Sequence, residues 1–207
     1  MTIQNSCSFQ NVTAATNAQP INPFGMQLVK TSTATTANVD FLNLNAYPTT
    51  GGPYNNFLFI FSVYYGTVAN NSNLQLVASS TAGSITSQNS VGYLSDVVNY
   101  NGAAALTLNN SYSATQSSLM YMYSMGGTAP QFVNGYLYMI GMNSKYLSVN
   151  GIIHTVTSAA SSGSTFNRSD WISGGGIYGT AVPAFRFVNG AGTVTTANYA
   201  LYALPSL

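Results

Sequence analysis

An antiparallel all-β fold is what this sequence predicts, on three observations. Short segments rich in Val, Ile, Thr, Tyr and Phe alternate at period two. Clusters of Asn, Gly, Ser and Pro separate them where turns are needed. No stretch carries a convincing helical period. Roughly nine to eleven short strands of this kind make a β-sandwich or barrel. The 207 residues suffice for one such domain with a full core, or one domain plus an arm.

Taken in order, residues 1–35 are small and polar, with Pro20, Pro23 and neither clean period. They read as an extended N-terminal arm, ordered by contact with the domain or a neighbour. Ile21, Phe24, Met26 and Leu28 are placed to form one pairing strand at its end. Residues 36–207 are the sandwich domain. Asn38 to Leu44 is a strand, and Tyr47-Pro48 with Gly51-Gly52-Pro53 is a loop. Tyr54 to Tyr65 (YNNFLFIFSVYY) is a long aromatic strand with Phe57, Phe59, Phe61 and Val63 on one face and Leu58, Ile60, Ser62 and Tyr64 on the other. Apolar residues on both sides imply a central strand covered on both faces, or one face in a subunit interface.

The Asn70 to Asn73 run turns the chain, and Leu74 to Ala78 returns it. Ser79 to Val91 is a long exposed loop. Tyr93 to Tyr100, Ala103 to Leu108, Ser118 to Met125 and Gly135 to Met142 are further strands, the last two rich in Tyr and Met. Asn150-Gly151, inside Tyr146 to Thr157, is the strongest short hairpin signal in the chain. Ser158 to Ser164 is a low-complexity loop. After the Gly174-Gly175-Gly176 cluster and Pro183, a closing hairpin is expected. Its first strand sets Phe185 and Phe187 against Arg186 and Val188, Asn189-Gly190 and Gly192 make the turn, and its second sets Tyr199, Leu201 and Ala203 against Ala200, Tyr202 and Leu204. Such a hairpin needs a sheet to pack on.

Charged residues are 3 % of the chain, against roughly 25 % in ordinary soluble domains. There is no glutamate; the acids are Asp40, Asp96 and Asp170, the bases Lys30, Lys145, Arg168 and Arg186, for a net charge of +1. Four scattered bases make no stripe for phosphates, which argues against nucleic acid and against anionic membranes. Polarity comes instead from amides and hydroxyls, and low self-repulsion favours association. A homo-oligomer, trimer or lattice, is therefore expected. Cys7 is the one cysteine, so no intrachain disulfide forms. No apolar run precedes Lys30, so no signal peptide is expected. The longest apolar run, Phe57 to Tyr65, is broken by Ser62 and is shorter than the ~20 residues of a membrane span, so no membrane insertion is expected. An exterior-type composition without an export signal fits a particle component made in the host cytoplasm and released by lysis.

Catalytic chemistry finds little material. Paired-carboxylate hydrolysis needs two converging acids, and the three here are far apart in sequence. His154 sits in a strand (GIIHTVT) and reads as a half-buried or surface histidine; pairing it with Cys7 would need the arm folded beside that strand. Zinc-type ligand sets are missing, no phosphate loop occurs, and the glycine cluster opens no helix. No catalytic residue, cofactor or metal is expected, and the chain reads as a non-enzyme. Arg168, Asp170, Trp171 and Tyr178 cluster beside the glycine run. Two readings stay open for them: an aromatic and polar patch for sugars, or Trp171 in a core or interface with Asp170 paired to Arg168.

Particular segments also carry a family resemblance. Val39-Asp40-Phe41, then Tyr54 to Phe61, then Asn73 to Ser80 resembles the opening of a group of bacteriophage virion proteins. Gly174 to Tyr178, Ala184-Phe185-Arg186-Phe187, Gly190 to Thr195 and Ala200-Leu201-Tyr202-Ala203-Leu204 look like that group's ending. Asn189-Gly190-Ala191-Gly192-Thr193-Val194 departs from the group's usual turn, and Ala203 replaces its final glycine. The resemblance implies a jelly-roll-like sandwich on a phage particle, as capsid decoration, head or tail fibre, or adhesin. Its partners would be further copies, major capsid or tail proteins, and, for an adhesin, host surface glycans. It carries over no catalytic residues.

Overall fold

The computed structural model describes residues 26–46, 55–68, 74–85, 90–99, 106–116, 120–121, 130–144, 146–158, 165–177, 181–190 and 192–204, with backbone alone at 68, 90–99, 106–116, 120–121, 157–158, 165–168, 170 and 176–177. Twelve strands follow in order: β1 Gln27–Ser32, β2 Asn38–Phe41, β3 Asn56–Val68, β4 Gln75–Ser79, β5 Ser90–Asn99, β6 Leu106–Gln116, β7 Met120–Tyr121, β8 Gln131–Ile140, β9 Tyr146–Ser158, β10 Thr165–Ile177, β11 Ala184–Val188 and β12 Gly192–Leu204. One 3₁₀ turn, Leu44–Ala46, follows β2 after Asn43, whose φ of 58° is one that Asn tolerates. The fold is an antiparallel β-sandwich. Its larger sheet has the order β1-β12-β3-β8-β9-β10 and its smaller β2-β11-β4-β7, while β5 and β6 pair as a hairpin lying alongside β10.

Burial follows the alternation in the sequence. On β3 the rings of Phe57, Phe59 and Phe61 are buried, with Val63 and Tyr65 continuing their face. On β11 Phe185 and Phe187 are buried while Arg186 and Val188 are half-buried. These rings meet between the sheets. Phe41 stacks on Phe185 at 4.7 Å, Phe59 stands edge-on to Phe41 at 5.2 Å, and Phe61 meets Phe187 at 4.8 Å. Aromatic pairs in such geometry add to the transfer term that drives their burial.

The closing hairpin does not form. β11 pairs with β2 and β4 in the smaller sheet, whereas β12 pairs with β1 and β3 in the larger. The turn is where expected, with Gly190 at φ 73°, but it carries the chain across the sandwich. Asn189 holds it there, fully buried. Its amide oxygen accepts from Tyr199 Oη at 3.0 Å and Tyr65 Oη at 3.3 Å, its Nδ2 donates to the Thr36 carbonyl at 2.8 Å, and its main-chain N–H donates to Ala37.

Asn150-Gly151 is not a turn either. β9 runs through it without a break, Gly151 facing Leu137 on one side and Ile172 on the other. A Cβ at Gly151 would come within 2.1 Å of the Tyr136 carbonyl, so this glycine allows close approach of β8 and β9 rather than a reversal. The reversal comes earlier, at Gly141 (φ 83°). Gly175 plays the same part beside Leu147, within β10 rather than in a loop. β6 runs on through Asn109-Asn110 to Gln116, past the strand end expected at Leu108. At the start of the described chain, the last part of the segment expected as an arm is β1, an edge strand of the larger sheet. The rest of that arm lies outside the described residues.

Candidate functional site

β3 has its inner face in the core, yet Ile60 and Tyr64 on its outer face remain exposed. The same holds across the larger sheet. Strand alternation sends Phe132, Tyr136, Tyr138 and Ile140 of β8 outward, then Tyr146 of β9 and Trp171 of β10. These eight side chains, all 38–57 % exposed, are the exposed large apolar residues among those described. All lie on one sheet face.

Register arranges them in rows. Ala200, Ile60, Tyr136, Ile152 and Trp171 are successive cross-strand neighbours over five strands. Beside them runs a polar row of Asn198, Ser62, Asn134, His154 and Ser169, in which His154 Nδ1 and Ser169 Oγ are 2.7 Å apart. Beyond that stand Tyr64, Phe132 and Val156. On the other flank Tyr138 neighbours Asn150, whose amide oxygen accepts from Ser173 Oγ at 3.1 Å. The rings of Tyr136 and Tyr138 meet edge to face at 5.7 Å, which makes the surface ridged rather than flat.

No charged side chain is among the described residues of this face. The described charges gather elsewhere. Arg186 and Asp40 form a two-pronged pair on the outside of the smaller sheet, Nε to Oδ1 at 2.6 Å and Nη2 to Oδ2 at 2.9 Å. The Asp40 carboxylate, through that hydrogen bond first, raises the Arg186 pKa and keeps it protonated. Lys30 Nζ donates to the Asp40 carbonyl at 2.8 Å and lies 5.4 Å from the centre of the Phe41 ring, tying β1 to β2. In the core, burial raises the pKa of Tyr65 and Tyr199 above the ordinary phenol value, so both stay neutral donors.

Of the residues expected to act together, Trp171 is here, 57 % exposed, between Ser169 and Ser173 on its strand face. Arg168 and Asp170 take the alternate register positions, opposite Thr155 and Ile153; their side chains lie outside the described residues. Tyr178 lies outside them altogether, as does Cys7. His154 is a half-buried strand residue. What sequence reading missed is the company Trp171 keeps, Ile152 and Tyr136. The available signal was the doubly apolar Phe57 to Tyr65 and the alternate rings of GYLYMIGM.

Among the described residues no group of three or more His, Cys, Asp or Glu side chains gathers as metal ligands would. No helix there is long and apolar enough to cross a membrane. No protein-family model matches the chain, and no curated protein is significantly similar to it.

Proposed function

We propose that this chain is a non-enzymatic structural protein of a tailed-bacteriophage particle, a jelly-roll-like module that decorates or stabilises the capsid or builds a fibre. The observation that carries the reading is the uncharged, aromatic outer face of the larger sheet. A sheet face with eight exposed large apolar side chains and no charge among its described residues suits an interaction site. Burial of it, not chemistry at a reactive group, is the work this fold is built for. The virion setting rests on the resemblance, whose segments fall on β2, β3, β4, β10, β11 and β12. Its Val39-Asp40-Phe41 and Phe185-Arg186-Phe187 triplets are paired strands joined by the Asp40–Arg186 bridge.

Assembly would take place in the host cytoplasm, with the protein exposed on the released particle. Its partners are further copies in a trimer or lattice, and major capsid or tail proteins. A second reading, a receptor- or glycan-binding adhesin, is favoured by Trp171 alone, an exposed indole flanked by the Ser169 and Ser173 hydroxyls. Quantitative mass spectrometry of purified particles tests the main reading. A copy number commensurate with the capsid lattice is expected for decoration, and one matching only a vertex or tail for a fibre or adhesin. Absence from the particle overturns it.

A further inference from the structure

Resting on that reading, and deepening it, we propose that the outer face of the larger sheet packs against the same face of a second copy of this chain. The area fits. A large apolar or aromatic side chain carries roughly 150–250 Å², so eight of them at the observed exposure present about 700 Å². Summed over both sides of the polar row, that approaches the ~800 Å² that each partner gives to a standard stable interface.

The chemistry is self-complementary. A partner carrying charge would find none among the described residues here, whereas a second copy brings an equally uncharged face. The polar row supplies donors and acceptors in both roles: asparagine amides, serine hydroxyls and the His154–Ser169 pair. It can meet its own image without stranding a group. A net charge of +1 opposes the approach weakly. Shape points the same way. A flat sugar platform needs coplanar rings, but Tyr136 and Tyr138 stand at 77° to each other. Ridged faces interdigitate, as the inner faces of this sandwich already do. An isologous contact of this kind closes on itself as a two-fold dimer, which then serves as the unit that a lattice arrangement repeats.

The full chain contains one tryptophan, and it lies on this face, so the unaltered protein reports on its own association. Light scattering after size exclusion, with sedimentation velocity across a dilution series, is expected to show a dimer that dissociates. Trp171 emission should move to longer wavelength with the same midpoint. Ile60→Lys and Tyr136→Lys, each shown folded by circular dichroism, should weaken the dimer roughly 100-fold or more by burying two lysines per interface. Gln75→Lys, on the smaller sheet, should leave it intact. A monomer at every concentration overturns the proposal, as does an oligomer indifferent to both folded lysine variants or one whose Trp171 emission ignores dilution. A monomer whose Trp171 emission answers only to added oligosaccharide overturns it in favour of the adhesin. A solution monomer that still counts into particles removes this contact and leaves the virion reading standing; a dimer missing from particles does the reverse.

Discussion

Replacing Asn189 with Ala should be among the most damaging single changes in the protein. The side chain accepts two phenol hydroxyls inside the core and donates to the Thr36 carbonyl at the margin of the core. Each such bond has a net worth of about 1 kcal/mol, and a buried group left unmatched costs about 1–3 kcal/mol. The 3.3 Å bond from Tyr65 is the weakest of the three. Loss of the amide strands two buried hydroxyls and leaves the Thr36 carbonyl to water, and about 3 kcal/mol is expected. That is a large share of the roughly 5–15 kcal/mol by which native proteins are stable. In a chain of this size it lowers Tm by about 10 °C. Urea unfolding followed by circular dichroism measures it, with Tyr65→Phe, which removes one long bond, expected to cost about 1 kcal/mol. If Asn189→Ala loses less than about 1 kcal/mol, the amide does not hold the crossing between sheets, and the account of why β11 and β12 part company fails.

Three further outcomes follow from the same structure. Gly151→Ala forces a methyl against the Tyr136 carbonyl between two central strands, and should destabilise by about 2 kcal/mol or more; a differential scanning shift below that of Gly83→Ala, in open space, would contradict the close-approach explanation. Asp40→Asn breaks a pair whose side chains are both 32 % exposed, so the loss in chemical denaturation should be small, about 0.5–1 kcal/mol, and smaller still in high salt. Stability should hold up to pH of about 10, where unfolded tyrosines begin to ionise, and fall above it, because burial raises the folded pKa of Tyr65 and Tyr199 and the unfolded chain releases protons the folded one keeps. Each tyrosine contributes about 1.4 kcal/mol per pH unit, and Tyr65→Phe should flatten the fall in an alkaline denaturation series.

Legibility in the sequence depended on whether the signal was local. The alternation in β3, β11 and β12 shows because side chains two apart share a face, and burial followed it at most positions, Leu58 on the outer face of β3 being buried as well. The Asn189-Gly190 turn was also legible, as positive φ is a local demand. What it joins was not, since sheet membership rests on pairings between residues far apart in sequence, as Asp40 and Arg186 are at 146 positions. Asn150-Gly151 misled for a related reason. A local turn preference loses to a strand held by ladders on both edges, and the glycine serves its neighbours Tyr136 and Leu137 instead. As for the site, Trp171 was legible as an aromatic beside a polar cluster. Its surface was not, because Ile60, Tyr136 and Ile152 reach it only through register between strands β3, β8, β9 and β10.

The place of β12 has a consequence for how the protein is made. It lies between β1 and β3 in the larger sheet, yet it leaves the ribosome after every other described strand. Until then β1 and β3 have no common neighbour, and each presents a bare edge able to pair with another chain. The sandwich therefore closes after synthesis of its last described strand rather than progressively during it. A product that stops before 192 lacks the strand that joins β1 to the rest of the sheet. Only a chain read through to β12 acquires the finished larger sheet.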